Sequence, residues 1–147
     1  MRYKIRYGKK EDLDFVLEGL KEIKLHEGDE NPGITEKDKE DCLKAITEKR
    51  VLVVEDHKNI GYIEYKEDFK IPFVNEKFLW IHLIYVREKH RGKEIAKVLY
   101  DEILKIAKEK DYNKIYCDVY AVNSSSLNFF EKKMGFKPLY TFLYKEV

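Results

Sequence analysis

The sequence has no glutamine, three prolines, two cysteines, a net charge of only +1 and no long apolar run. Each shortage excludes something. Cys42 and Cys117 stand far apart and form no CxxC pair; a disulfide framework would use more cysteines, and two reduced thiols are expected. No stretch approaches the roughly 18 apolar residues of a membrane span. Met1-Arg2-Tyr3-Lys4-Ile5-Arg6 lacks the apolar core of a secretory leader, and the expected location is the cytoplasm. With 29 Lys and Arg against 28 Asp and Glu, there is no whole-molecule attraction to nucleic acid or to an anionic membrane. No Pro- or Gly-rich tract divides the chain, so residues 1–147 are expected to form a single domain. His26 and His57 have no metal-ligand spacing. Asp29, Asn31 and Glu40 take three positions of a calcium loop, but Pro32 interrupts it and Gly33 falls one place early; no metal is expected.

What is present is charge and apolar periodicity. Charged residues make up 39% of the chain, against about 25% in ordinary domains. High Lys and Glu without Gln fits a heat-adapted composition. Residues 2–7 alternate as a short strand, and Leu13, Val16, Leu17, Leu20 and Ile23 recur at helical spacing, predicting a helix over about 11–26. A polar loop broken by Pro32 and Gly33 precedes a second helix, about 35–48. Strands follow at 50–55 and 60–66, joined by the turn Asp56-His57-Lys58-Asn59. Phe78 to Val86 is the strongest strand, aromatic and β-branched. A helix over about 92–110 carries Ile95, Val98, Leu99, Ile103 and Ile106 as its apolar stripe. Ile115, Cys117, Val119 and Ala121 mark one face of a strand at 114–121; a short helix runs from 124 to 134, and residues 136–146 supply the last one or two strands. The order β-α-α-β-β-β-α-β-α-β predicts an α+β domain with a mixed sheet. A right-handed crossover through the 92–110 helix would make its two flanking strands parallel neighbours.

The segment Val86-Arg87-Glu88-Lys89-His90-Arg91-Gly92-Lys93-Glu94-Ile95-Ala96 carries the chemistry. A strong strand enters a basic loop that opens a long helix. The first N–H groups of a helix lack partners and its dipole is positive there, which suits phosphate. Arg87, Lys89, His90, Arg91 and Lys93 surround that point. A solvated helix entry would read the same from spacing alone.

Arg91-Gly92-Lys93-Glu94-Ile95-Ala96 resembles the R/Q-x-x-G-x-G/A signature of the GNAT acetyltransferases. Ile81-His82-Leu83-Ile84-Tyr85-Val86 is similar to the fourth strand of that family. Asn123 with Ser124 to Lys132 is similar to its N-x-x-A/S-x-x-F-Y-E-K segment, and Met134-Gly135-Phe136 to its closing x-G-F. The pattern lies nearest to diamine and polyamine-type members. Three departures stand out: Glu94 in place of glycine, Phe130 in place of the tyrosine proposed as acid, and Leu83 in place of an acidic residue.

The resemblance implies an acyl-CoA N-acyltransferase fold, with a mixed, mostly antiparallel sheet and helices on both faces. It implies acetyl-CoA as donor, with the strands at 78–86 and 114–121 parallel and splayed at their C-terminal ends. Ile84, Tyr85 and Val86 would meet the pantetheine arm. Arg91, Gly92, Lys93, Glu94, Ile95, Ala96 and Lys97 would hold the pyrophosphate, and Asn123 and Ser126 would contact the cofactor from the far strand. His82, nine residues before Arg91, is the candidate base; an unperturbed imidazole is mostly neutral at pH 7. The alternative for it is a structural strand histidine. Tyr116, Tyr120 and Tyr140 are other candidates for the missing acid. Glu27, Asp29 and Glu30, between the first two helices, point to a small cationic amine as acceptor; a peptide amine is the other class. Homodimers are frequent among such proteins. The competing function is a silent acyl-CoA-binding module on the same fold.

Overall fold

The computed structural model describes residues 3–26 and 33–147. The elements are β1 (Lys4–Tyr7), α1 (Leu13–His26), α2 (Glu36–Thr47), β2 (Val51–Asp56), β3 (Lys58–Lys66), β4 (Phe78–Val86), α3 (Ile95–Glu109), β5 (Lys114–Cys117) and α4 (Ser124–Leu127). Strand order is β1-β2-β3-β4-β5. The first three pairings are antiparallel, and β4–β5 is parallel, as a crossover through α3 requires.

The helices divide between the two faces because the strands present apolar residues to both. In β2, Val51 and Val53 enter one core while Leu52 and Val54 enter the other, which explains its unbroken apolar run. One core joins Ile63, Leu79 and Ile81 to Leu99, Ile103 and Ile106 of α3 and to Phe130. The other joins Tyr62, Leu83 and Tyr85 to Phe15 and Val16 of α1 and to Cys42, Ala45 and Ile46 of α2. Helix α1 lies close to the sheet at Gly19, where a Cβ would stand 2.5 Å from the Tyr62 ring. A reciprocal cap starts α2: Thr35 Oγ1 accepts from the Asp38 N–H and the Asp38 carboxylate accepts from the Thr35 N–H.

Between β3 and β4 the register slips by one. Glu64 faces Leu83 and Tyr65 faces Ile81, so His82 is the extra residue of a bulge. The alternation changes there: Leu79 and Ile81 belong to the α3-side core, but beyond the bulge it is Ile84 and Val86 that pack against it.

Four features differ from the sequence expectation. Helix α3 starts at Ile95 rather than 92, because Gly92 and Glu94 both take positive φ. The strand expected at 114–121 ends at Cys117. Residues 136–146 form no strand: beyond Phe136 the chain is irregular and exposed. Pro138 has no N–H to give to a ladder and holds Lys137 away from the α region. The helix expected over 124–134 is one α-turn, capped by Asn123, that continues as a π-helical turn over Asn128–Lys133.

Candidate active site

Strand β4 pairs with β5 only from Phe78↔Lys114 to Ile81↔Cys117. Past the bulge, Leu83 to Val86 have no paired strand on that side among the described residues, and this unpaired edge beyond the end of β5 is the wedge between the two strands. Ile84 and Val86 turn their side chains into the α3-side core. Tyr85 turns the opposite way, and its hydroxyl donates to Glu18 Oε2 at 2.8 Å. The Arg87 N–H donates to the Ile60 carbonyl at 2.9 Å, so by the alternation of an antiparallel ladder Tyr85 also bonds toward β3, and it is Ile84 and Val86 whose backbone groups face the wedge.

The chain then turns through Glu88–His90 and reaches the start of α3. Gly92 has φ +75, and a Cβ there would meet nothing within 4 Å, so glycine serves the backbone angle and not a lack of room. Glu94 has φ 66 and ψ 14 and makes no side-chain cap to α3. Its left-handed conformation costs about 1 kcal/mol. The N–H groups that begin α3 at Ile95, Ala96 and Lys97 are left to meet an outside acceptor, and an anion such as a diphosphate suits that place.

The basic residues around this turn are unequal. Arg87 is held: its guanidinium donates twice to Glu18, at 2.9 Å each, and to the Asn59 carbonyl at 2.8 Å, and lies 4.7 Å from the Phe15 ring. Arg91 donates to the Val86 carbonyl at 2.9 Å and pairs with Glu22. Lys97 pairs with Asp101 at 2.8 Å, while Lys89 and Lys93 are exposed. Glu18 and Glu22, one turn apart on α1, thus aim the two arginines. Their i, i+4 spacing was visible in the sequence, but their partners were not.

On the α1/α2 face, the His82 side chain is 40% exposed, and its Nε2 lies 3.9 Å from Glu64 Oε2. Glu64, on β3, is 7% exposed. Its other charged neighbour is Arg50, at 3.8 Å. Both distances are too long for hydrogen bonds. Burial pushes the Glu64 carboxyl up to about 7, against a partial opposing pull from Arg50 and Lys66. Burial, with Lys66 and Arg50, lowers His82 to about 4. Water at its open side screens part of that penalty, and the imidazole is neutral at pH 7 in either case. Glu64 was missed from sequence because it sits inside an otherwise apolar strand.

Asn123 and Ser126 are joined as a cap, the Asn123 side chain accepting from the Ser126 N–H at 3.1 Å. Phe130 is buried edge-on against Phe129 and Phe136. Tyr116 donates to Glu76 at 3.0 Å, and Tyr120 and Tyr140 are exposed. Burial pushes both thiols, Cys42 and Cys117, up to about 12, so neither is a nucleophile. Glu27, Asp29 and Glu30 lie outside the described residues. A shallow pocket of about 570 Å³ is lined by Glu18, Lys21, Glu22, Leu25 and Glu88, and one of about 340 Å³ by Lys58, Arg87, Glu88, Lys89 and His90. Both flank the 87–91 turn, and neither is the β4–β5 wedge. No group of three metal-ligating side chains and no helix able to cross a membrane occurs among the described residues.

A family model described as acetyltransferase (GNAT) family matches residues 17–136. Among solved structures, a possible acetyltransferase from Clostridium difficile 630 is 22% identical with a TM-score of 0.76, covering 99% of this chain and 97% of that one. The aminoglycoside N-acetyltransferase AAC(6')-Iy in complex with CoA is 16% identical with a TM-score of 0.75, covering 99% and 94%. A ribosomal-protein-alanine N-acetyltransferase from Brucella melitensis biovar Abortus 2308 is 17% identical with a TM-score of 0.71, covering 99% of each. No curated protein matches the sequence.

Proposed function

The chain belongs to the acetyltransferase (GNAT) family and is an acetyl-CoA-dependent N-acetyltransferase, and we propose that its acceptor is a small cationic primary amine of the diamine or polyamine type. The observation that carries the donor assignment is the uncapped start of α3, which follows left-handed Gly92 and Glu94 beside the end of the β4–β5 ladder. There the N–H groups of residues 92–97, with Arg91, hold the diphosphate. Ile84, Tyr85 and Val86 line the pantetheine arm, with Asn123 and Ser126 opposite. Bound acetyl-CoA supplies an activated acetyl group as its thioester.

A primary ammonium has a pKa of about 10.4 and must lose a proton before it attacks. His82, neutral and partly open, takes that proton, and Glu64 behind it supports the imidazolium that forms. Of the strand at 84–86, the backbone N–H of Ile84 or Val86 would face the carbonyl oxygen as it gains charge. The thiol, with a pKa of about 8.5, leaves as thiolate, so a buried Phe130 in place of a tyrosine is compatible with turnover. A cationic acceptor is supported by Glu27, Asp29 and Glu30 in the segment after α1. The aminoglycoside acetyltransferase of like fold is consistent with a polycationic small molecule.

The test is release of free thiol from acetyl-CoA with polyamines, aminoglycosides, amino acids and short peptides. A polyamine should react best. Charge reversal at Glu27, Asp29 and Glu30 should raise its KM severalfold and leave that for acetyl-CoA unchanged. A neutral or anionic best acceptor overturns the acceptor assignment. Coenzyme binding in calorimetry without turnover of any amine would instead make the chain a silent acyl-CoA-binding module.

A further inference from the structure

Arg91 is committed at both ends within its own chain. Its Nε donates to the Val86 carbonyl at 2.9 Å, and its Nη2 pairs with Glu22 of α1. That carbonyl lies on the wedge-facing edge of β4, since the next residue, Arg87, gives its N–H to β3. The side chain therefore runs from the wedge edge to α1, with its charge matched by an internal carboxylate. The neighbouring arginine is fixed more firmly: Arg87 donates twice to Glu18 and once to the Asn59 carbonyl, and it lies against the Phe15 ring. Arg91 has one carboxylate and one carbonyl. Its side chain is 41% exposed and that of Glu22 is 31% exposed, so water and salt screen the pair and its grip is modest. A diphosphate carries more charge than one carboxylate. It also accepts from the N–H groups at the start of α3, so it is the stronger partner for the guanidinium.

We propose that Glu22 is an internal competitor of the coenzyme: its carboxylate and the donor's diphosphate alternate on the Arg91 guanidinium. The inference rests on the placement of the diphosphate at residues 91–97. While Glu22 holds Arg91, the guanidinium is turned toward α1, and an anion at the start of α3 is met without it. When the diphosphate takes Arg91, the tie between α1 and the turn before α3 is released at Glu22 and kept at Glu18. Glu22 then presents its carboxylate to the pocket that it lines with Glu18, Lys21, Leu25 and Glu88. The apparent affinity for coenzyme is the intrinsic affinity multiplied by the fraction of molecules with Arg91 released. An exposed ion pair favours the closed form by a factor of up to about five, and the apparent affinity falls by a like factor. The donor site and α1 are thereby coupled. Whatever draws Glu22 from Arg91 strengthens coenzyme binding, and coenzyme frees Glu22 in turn.

The experiment is calorimetric titration of coenzyme A into the full chain, wild type and variants, at low and high salt. Glu22→Gln should tighten binding about two- to fivefold at low salt, and the gain should shrink as salt rises. Arg91→Ala should weaken binding. In the Arg91→Ala background Glu22→Gln should change nothing further, because no guanidinium is left to release. Glu22→Ala repeats the test without an amide that could still accept from Arg91, and far-UV circular dichroism checks that each variant folds. If Glu22→Gln and Glu22→Ala both bind coenzyme no tighter than wild type, the competition is overturned and the diphosphate placement stands. An equal gain with and without Arg91 would mean that Glu22 repels the anion through space, and it too overturns the competition. Arg91→Ala binding as tightly as wild type would remove the arginine from the diphosphate site and overturn the placement and the competition together.

Discussion

Asp12 and Glu64 are both carboxylates withdrawn from water, 5% and 7% exposed, and their surroundings drive them in opposite directions. Asp12 accepts from Arg6 Nη1 at 2.7 Å and Nη2 at 3.0 Å, from the Lys9 N–H at 2.6 Å and from the Asn59 amide at 3.0 Å. The Arg6 hydrogen bonds above all, then those of Lys9 and Asn59, lower it to about 2 despite burial. Glu64 lies at 3.8 Å from Arg50 and 3.9 Å from His82, and burial raises it to about 7. Where donors replace the lost water, the charge stays and ties β1, the turn before α1 and the β2–β3 hairpin together. Where they do not, the proton is held near neutral pH and is available to chemistry.

The largest effect expected from this contrast is at Asp12. Asp12→Ala takes the bidentate partner from Arg6, which keeps Glu55 at 3.1 Å, and leaves the Lys9 N–H without its acceptor, and it should cost about 3 kcal/mol of stability, read from denaturant midpoints. The turnover of the folded fraction should hold. A loss under about 1 kcal/mol would place Asp12 among ordinary surface pairs. Because its folded value is depressed, its contribution is present above its unfolded value of 3.8 and is lost as pH falls toward about 2.

Glu64 has the opposite sign. Its folded value is raised from 4.5 to about 7, so its stabilising contribution is complete below 4.5 and is lost as pH rises through about 7. The span corresponds to roughly 3 kcal/mol. Glu64→Gln should therefore be more stable than wild type at pH 8.5, by up to that amount, with the gap closing near pH 4. An equal gap at both pH values would show that Glu64 does not titrate in the folded protein. The same variant should lower turnover by about 10²-fold at pH 8 and erase a limb of the pH–rate profile that rises through about pH 7. An intact limb removes Glu64 from the reaction.

The two carboxylates also differ in how legible they are. Sequence periodicity was enough to place α1, α2, β2, β3, β4 and the α3 stripe, and the 91–96 segment was readable because a basic loop meets a helix start. Glu64 was hidden because Gly61-Tyr62-Ile63-Glu64-Tyr65 reads as an apolar strand with one polar residue. Only its i, i+2 relation to Tyr62, in a strand buried on both faces, hinted that it points inward. The bulge at His82 could not be read, since one extra residue in a continuous apolar strand leaves no break in the pattern. Residues 136–146 have the composition of a strand, but composition does not supply a partner, and no ladder forms there.

Arg50 gives the smallest and most discriminating test of the comparison. Its side chain is 15% exposed; Nη1 donates to the Tyr65 carbonyl at 3.1 Å and Nε to Glu48 at 3.0 Å. From 3.8 Å its charge pulls Glu64 down, and it pulls His82 down as well. Arg50→Gln removes that charge, so both groups should titrate higher. The rising limb of the pH–rate profile should move up by no more than about one unit, equivalent to about 1.4 kcal/mol. Stability should fall by about 1 kcal/mol from the lost hydrogen bond to Tyr65, but that loss has no pH midpoint and is separable. Arg50→Lys keeps a positive charge without the planar fork, and should return the limb toward its original position while leaving some of the stability loss. If the limb stays in place in Arg50→Gln yet vanishes in Glu64→Gln, the Glu64 proton is governed by burial alone. If the limb moves down, the titrating group does not lie in the field of Arg50, and the assignment to the Glu64–His82 pair is wrong.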